Sequence, residues 1–278
     1  MKLLRYGSKG AEKPGMLDAQ GHIRDLSGLV SDWTPERLSP AGLQALHAVD
    51  VSKLPLVSGS PRLGTPVAGT RQFMAIGLNY RKHAIESGLE IPTEPVIFNK
   101  ALTSLSGPND DIQMPEGSEQ TDWEIELAFV MGSEARHVSE AEALGLVAGY
   151  CLSNDVSERF WQIKRGGQWV KGKSFDTFGP IGPWLVTTDE IPDPQTLAME
   201  LKVNGQVRQH SNTADMIFSV AYLVSYLSQF MTLLPGDVVT TGTPSGVGLG
   251  MKPPAYLKRG DVMTLSMDKL GTQTQKVV

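Results

Sequence analysis

The sequence predicts an α+β fold, mostly strand with a few helices. Three features lead there: the apolar runs are short and bounded by turn residues, Asn204-Gly205 marks a tight hairpin, and few segments carry a helical period. The 29 glycines and 18 prolines break the 278-residue chain often, as a rolled or sandwiched sheet requires. With 40% hydrophobic and 20% charged residues, the chain can bury a substantial core.

In order along the chain, KLLRYG opens as a short strand, GMLDAQGHIRDLS reads as a hairpin, and residues 41–49 read as a helix. Pro35, Pro40, Pro55, Gly59, Pro61 and Gly64 punctuate this stretch. Residues 1–70 are therefore expected to stand as a small N-terminal domain before a larger one over 71–278. Beyond it FMAIGL, EPVIFN, IELAFVMG, GPWLVTT, LAMELKVNG, DVVTTG and DVMTLSM have the length and the side chains of strands. Asn204-Gly205, among the alternating Met199, Leu201, Val203 and Val207, fits a two-residue turn whose central positions both need positive φ. Ser139 with Glu142 three residues on is a capping-box pattern that starts a short helix. The run MIFSVAYLVSYLSQFMTLL, residues 216–234, resembles a membrane span, but Ser219, Ser225, Ser228 and Gln229 interrupt it. Ile217, Val220, Val224, Leu227 and Met231 recur at three- and four-residue steps, so an internal helix is expected, closed by Pro235-Gly236.

The formal net charge is −5. Neither nucleic acid nor an anionic membrane fits as the main partner, since both call for a basic face, and a small metabolite is expected instead. The opening MKLLRYGSKGAEKPG lacks the apolar core of a secretory signal, and the single cysteine, Cys151, permits no internal disulfide. A cytoplasmic location is the expectation, with Cys151 as a small buried apolar residue.

The chemistry starts in TDWEIELAFV, residues 121–130. On a strand, Glu124 and Glu126 share one face with Cα atoms about 7 Å apart. Like charges that close repel unless water or a cation screens them. Alone, the pair also describes any solvated strand face; a divalent cation between them requires a third oxygen ligand. Asp155, at the end of a strand through residues 150–152, is a candidate, and it is equally placed to cap a helix. Three carboxylates suit Mg²⁺ or Mn²⁺ rather than zinc and leave positions for water and substrate oxygens. Arg159 and Gln162 follow at spacings that share a helical face. Lys173, in the stretch GKSF, is either a solvated turn residue or a cation aimed at an anionic oxygen. In GLNYRKHAIESG, His83 and Glu86 are three apart. On one helical turn the carboxylate can hold one ring nitrogen and leave the other as a base for water, although an exposed pair of no consequence has the same spacing. His22, His47, His137 and His210 lack such a carboxylate at helical spacing within motif-like surroundings, and no role is assigned to them. Finally, LLPGDVVTTGTPSGVGLG reads as a strand running into a loop of small and hydroxyl residues. It lacks the spacing and the lysine of a phosphate loop and fits a site wall instead.

Taken in order, GLNYRKHAIESG, DWEIEL, NDVSERFWQ, KGKSFDTFGP, the MIFSV helix after Asp215, and PGDVVTTGTPSGVG resemble the fumarylacetoacetate hydrolase family from Gln72 onward. The resemblance implies a mixed β-roll catalytic domain behind a small N-terminal domain, usually as a homodimer. It implies Mg²⁺ or Mn²⁺ on Glu124, Glu126 and Asp155, and a lid carrying the catalytic pair His83 and Glu86. It also implies a catalytic Lys173 and substrate contacts from Arg159, Gln162 and Thr243. The family's namesake hydrolases add a metal carboxylate ahead of the histidine, where this chain has Gly77, Leu78 and Asn79. The chain is therefore more similar to the smaller acylpyruvase-type members, and among these it resembles bacterial ones named ureidoglycolate lyase or 2,4-diketo-3-deoxy sugar acid hydrolase. The implied activity is metal-dependent hydrolysis of the C3–C4 bond of a 2,4-dioxo acid to pyruvate and a carboxylic acid. Elimination from a ureido acid, decarboxylation and tautomerisation on the same platform are the alternatives.

Overall fold

The structure is a computed structural model and describes residues 1–278. Its strands form a 10-stranded, a 4-stranded and a 2-stranded sheet. Across the large sheet the order is Ile23–Asp25, Lys13–Leu17, Lys2–Tyr6, Gly179–Thr187, Val147–Asn154, Ile125–Met131, Val238–Thr240, Phe73–Gly77 and Val96–Asn99. Leu105–Ser106 pairs parallel alongside Gly179–Thr187, and Val238–Thr240 runs parallel to Phe73–Gly77; the other ladders are antiparallel. The predicted α+β class holds.

Why the central strands read as nearly continuous apolar runs is plain from their surroundings. Every residue of Ile125–Met131 and of Val147–Asn154 is buried, because both faces of the sheet are covered. Leu127, Phe129 and Met131 face a core shared with Leu223, Val224 and Leu227 of the longest helix. Ala128 and Val130 face a second core with Leu3, Trp33, Leu38 and Leu185. The alternation is the strand's own two-residue period.

Residues 1–70 build that second core and share the large sheet rather than closing a sheet of their own. Lys2 and Leu3 pair with Val186 and Leu185. Trp33, fully buried, donates its Nε1–H to Leu4 O at 2.8 Å.

The 4-stranded sheet, ordered Gln206–Asn212, Ala198–Val203, Val262–Met267 and Gly271–Lys276, closes over the first core through Met199, Leu201, Met263 and Leu265. Its Asn204-Gly205 turn has φ 50 and 78, the positive values that the sequence demands. The helix expected over 216–231 spans only Val220–Phe230. Ile217 N donates to Asn79 O at 2.8 Å, which keeps the chain extended there, and Ser219 caps the helix by accepting from Tyr222 N at 3.1 Å. The hydroxyl that interrupts the apolar run is therefore its start signal. The helix ends at an extended Met231, well before Pro235. The first helix is Pro40–Leu46, shorter than 41–49 at its C-terminal end, and Glu140–Ala143 carries the expected capping box. No helix is long and apolar enough to cross a membrane.

Candidate active site and metal centre

The site lies where the central ladder ends. Ile125 pairs with Asn154, and one step beyond the strands Asp155 N donates to Glu124 O at 2.9 Å. That extension makes Glu124 and Asp155 neighbours, with Glu126 across from Ser153. Glu124, Glu126 and Asp155 are 4%, 1% and 1% exposed, and one ligand oxygen from each lies within 4.8 Å of the others. They do not form a solvated face. Nor does Asp155 cap a helix, since Arg159–Lys164 starts after Glu158, whose own carboxylate accepts from Phe160 N.

Three buried cations surround the carboxylates. Lys173 Nζ lies 2.7 Å from both Glu124 Oε2 and Asp155 Oδ2. Lys100 Nζ donates to Asp155 Oδ1 and, at 3.1 Å, to Phe178 O. Arg159 reaches Glu124 Oε1 at 2.7 Å through Nη1, Gln162 Oε1 at 3.0 Å through the same nitrogen, and Asp122 Oδ2 at 2.8 Å through Nε. Burial alone would raise the Glu124 carboxyl, but the Lys173 and Arg159 charges outweigh it and bring it down to about 2. Glu126 goes the other way. Burial, then the negative charges of Asp155 and Glu124, push it well above the usual carboxylate range; its firm partner is the Gly242 N–H at 2.9 Å. Burial disfavours the ammonium of Lys173, yet Asp155 and Glu124 hold it above its ordinary value, whereas at Lys100 burial prevails and lowers it.

The set fits a hard divalent cation. Asp122, Glu124, Glu126 and Asp155 lie among Lys100, Lys173 and Arg159, so four buried carboxyl groups meet three buried basic groups. Glu126 is the carboxyl group without an ion pair. Oxygen-only, anionic donors at this spacing suit Mg²⁺ or Mn²⁺.

His83 and Glu86 lie on the helix Arg81–Glu86, with Nδ1 3.5 Å from Glu86 Oε2 and His83 8% exposed. The contact is within ion-pair reach but not aligned as a hydrogen bond, so Nδ1 is buried without a partner. Among the influences that lower Glu124, that of His83 ranks after those of Lys173 and Arg159. Gly246 N donates to both Glu86 oxygens at 3.0 and 3.1 Å. Position 246 must be glycine: its φ is +102, and a Cβ would overlap Arg208 O.

Lys173 is no turn residue. It ends the short helix Val170–Lys173 at 2% exposure, and Gly172 before it packs so tightly on Glu158 O and Gln162 that no Cβ fits. Gln162 is 5% exposed, and its Oε1 accepts from Arg159 Nη1. Thr243 is different. Its hydroxyl donates to Ile125 O at 2.9 Å and accepts from Gln209 Nε2 at 2.8 Å, at the end of the ladder. Sequence reasoning missed Lys100 and Asp122. The one available signal at Lys100 is a cation directly after the apolar strand Val96–Asn99; nothing local links it to Asp155, 55 residues on. A surface cavity of about 570 Å³ lined by Lys2, Trp184, His210 and Lys269 shares no residue with the triad.

A buried carboxylate triad at a strand end of a mixed sheet, together with a histidine–glutamate pair on a short helix, defines a protein of the fumarylacetoacetate hydrolase type. Residues 72–278 match the family model "Fumarylacetoacetate (FAA) hydrolase C-terminal", and the chain belongs to that family. It is 59% identical over 276 residues to a Burkholderia ambifaria protein named "Putative hydrolase", covering 99% of this chain and 98% of the relative. The solved fumarylacetoacetate hydrolase of Exiguobacterium antarcticum is 36% identical with a TM-score of 0.89, covering 100% of this chain and 99% of that one. The maleylpyruvate hydrolase of Sphingobium sp. SYK-6, solved with manganese(II) ion and pyruvate, is 29% identical with a TM-score of 0.82, covering 100% and 99%.

Proposed function

We propose that this chain is a divalent-metal-dependent hydrolase that cleaves a 2,4-dioxo acid between C3 and C4, giving pyruvate and a carboxylic acid. The observation that carries this reading is the buried Glu124, Glu126 and Asp155 triad beside His83 and its partner Glu86. Mg²⁺ or Mn²⁺ held by the triad would supply Lewis-acid stabilisation of the negative charge that develops on the keto oxygen. The remaining work falls to side chains. Arg159 Nη2, buried without a partner, is a donor for the substrate carboxylate. Glu86 orients His83, and His83 takes a proton from water as the oxygen adds to C4. Lys173 has a third N–H beyond the two on Glu124 and Asp155, and with Gln162 it can donate to the oxygen at C4. The C3–C4 bond then breaks, C3 takes a proton, and pyruvate leaves.

The maleylpyruvate hydrolase captured with Mn²⁺ and pyruvate supports this reading. A second reading, isomerisation, draws on a 33% identical neighbour from Mycobacterium abscessus titled a probable 2-hydroxyhepta-2,4-diene-1,7-dioate isomerase, since one base beside one electron sink serves proton shifts equally well. The active form is proposed as a cytoplasmic homodimer. In support, Tyr222, Tyr226 and Phe230 form a ladder of rings with centroids 5.8 and 4.9 Å apart, ending in a Phe230 that is 64% exposed.

The deciding experiment supplies Mg²⁺ or Mn²⁺ with acylpyruvates, diketo-deoxy sugar acids, ureidoglycolate, oxaloacetate and a hydroxy-dienoate, and identifies the products. Pyruvate plus a carboxylic acid, abolished by EDTA, is the expected result. Glyoxylate plus urea would make it a lyase, an isomer of unchanged mass an isomerase, and no turnover of any of these would sink the hydrolase reading.

A further inference from the structure

Asp122 is fully buried at the end of the strand Thr121–Asp122, which pairs with Ser157–Glu158. Its carboxylate accepts four N–H donors: Trp123 N at 2.8 Å and Gly248 N at 2.7 Å on Oδ1, Leu249 N at 3.0 Å and Arg159 Nε at 2.8 Å on Oδ2. Two of these donors belong to the turn Gly248–Gly250, and that turn touches the proton-transfer pair. A Cβ on Gly250 would sit 2.5 Å from Glu86 Cδ, and Gly246, two residues before the turn's first glycine, is the donor to both Glu86 oxygens. Gly248 is wedged just as closely, since a Cβ there would overlap Ala255 O and approach Asp122 Oδ1 to 2.8 Å. At the other end, Arg159 spends Nη1 on Glu124 and Gln162 and leaves Nη2 buried and unpartnered.

One carboxylate therefore holds both the guanidinium that faces the site and the wall against which Glu86 rests. We propose that Asp122 is a positioning residue that couples Arg159 to the Glu86–His83 pair through the Gly248–Gly250 turn. An anion bound at Arg159 Nη2 steadies the guanidinium, the shared carboxylate transmits this to Gly248 and Leu249, and the turn keeps Glu86 aligned behind His83. Asp122 itself touches no substrate. The identity of the anion as a 2-oxo acid carboxylate rests on the proposed function; the mechanical link does not.

The test begins with the metal-free chain. Asp122→Asn turns an amide N–H₂ toward Arg159 Nε and Leu249 N, two donors it cannot accept. By hydrogen–deuterium exchange, peptides over 81–88 and 244–250 are expected to exchange about tenfold faster than in the wild type, with the strand at 125–131 unchanged. Acceleration at 244–250 with wild-type exchange at 81–88 would overturn the coupling. Gly248→Ala displaces the turn and crowds Asp122 Oδ1, the oxygen opposite the one that accepts from Arg159 Nε; should the asparagine variant not fold, the same exchange comparison is made on it. With the substrate that the wild type turns over, Gly248→Ala is expected to lower kcat about tenfold and to change KM by less than about twofold. A kcat within about twofold of wild type would also overturn the proposal. If the wild type turns over no 2-oxo acid, the hydrolase reading fails, while the exchange data still decide the link.

Discussion

At His83 the structure separates function from stability. The ring is 8% exposed and its Nδ1 makes no hydrogen bond, so truncation leaves no protein group newly orphaned. His83→Ala is expected to lower kcat about 10²- to 10⁴-fold, the usual worth of a general base, with little change in Tm. Steady-state kinetics beside a thermal melt checks both halves. Lys100 should behave in the opposite way. It serves Asp155 Oδ1 and Phe178 O from a position with 2% exposure, so Lys100→Met leaves both oxygens without that donor while Lys173 still pairs with Asp155 Oδ2. A loss of about 1 to 3 kcal/mol is expected in urea unfolding. Arg159, Gln162, Lys173, Glu124, Glu126 and Asp155 were visible in the sequence because each stands out locally as a charged or polar residue in an apolar or glycine-rich setting. Lys100 is marked only as a cation directly after an apolar strand, Asp122 carries no such mark, and Thr243 stands at a strand end where its hydroxyl donates to a neighbouring carbonyl.

At the scale of elements, the ladder between Ile125–Met131 and Val147–Asn154 does the positioning. It is covered on both faces, so a defect in it is felt at the triad. Leu127→Ala, one residue from Glu126 and fully buried, is expected to cost about 2 to 5 kcal/mol in chemical denaturation. The same variant should weaken Mn²⁺ binding by calorimetry, because a relaxed strand end no longer aims two glutamates together. The helices show the limit of periodicity. Ile217 and Met231 continue the apolar repeat of Val220–Phe230 but lie outside it, since Ile217 is tied to Asn79 O and Met231 is extended. An apolar residue at the right spacing reports burial, and a cap reports where the helix starts.

Over the whole molecule, residues 1–70 are tied to the rest by charge as well as by sheet pairing. Arg62 lies 2.9 Å from Glu12 Oε1 and 2.6 Å from Asp110 Oδ2. Burial pushes the Glu12 carboxyl up, but hydrogen bonds from Arg62 and from its own backbone, with the Arg5 and Arg62 charges, leave it below its ordinary value. A depressed carboxyl favours the folded state fully above the unfolded-chain value near about 4.3 and loses that contribution as pH falls through the folded one. Tm is therefore expected to fall with acid below that range, and Glu12→Gln, already lacking the charge, should show a shallower fall in the same calorimetric series.

The sequence by itself determined the class of fold, the strands and the Asn204-Gly205 hairpin, and the chemical identity of the site: three carboxylates, a histidine with its glutamate, and cations in between. These depend on local rules, since spacing decides which side chains share a face and φ decides where glycine must stand. Only the tertiary structure decided which of them meet. Glu124 reaches Asp155 because one ladder runs a step past its strands, Lys100 reaches the same carboxylate from 55 residues away, and Asp122 reaches the 248–250 turn from more than a hundred. Burial then settles their charge, pressing Glu126 up while its neighbours hold Glu124 down. Convergence of distant residues is a property of the packed sheet, and no local spacing encodes it.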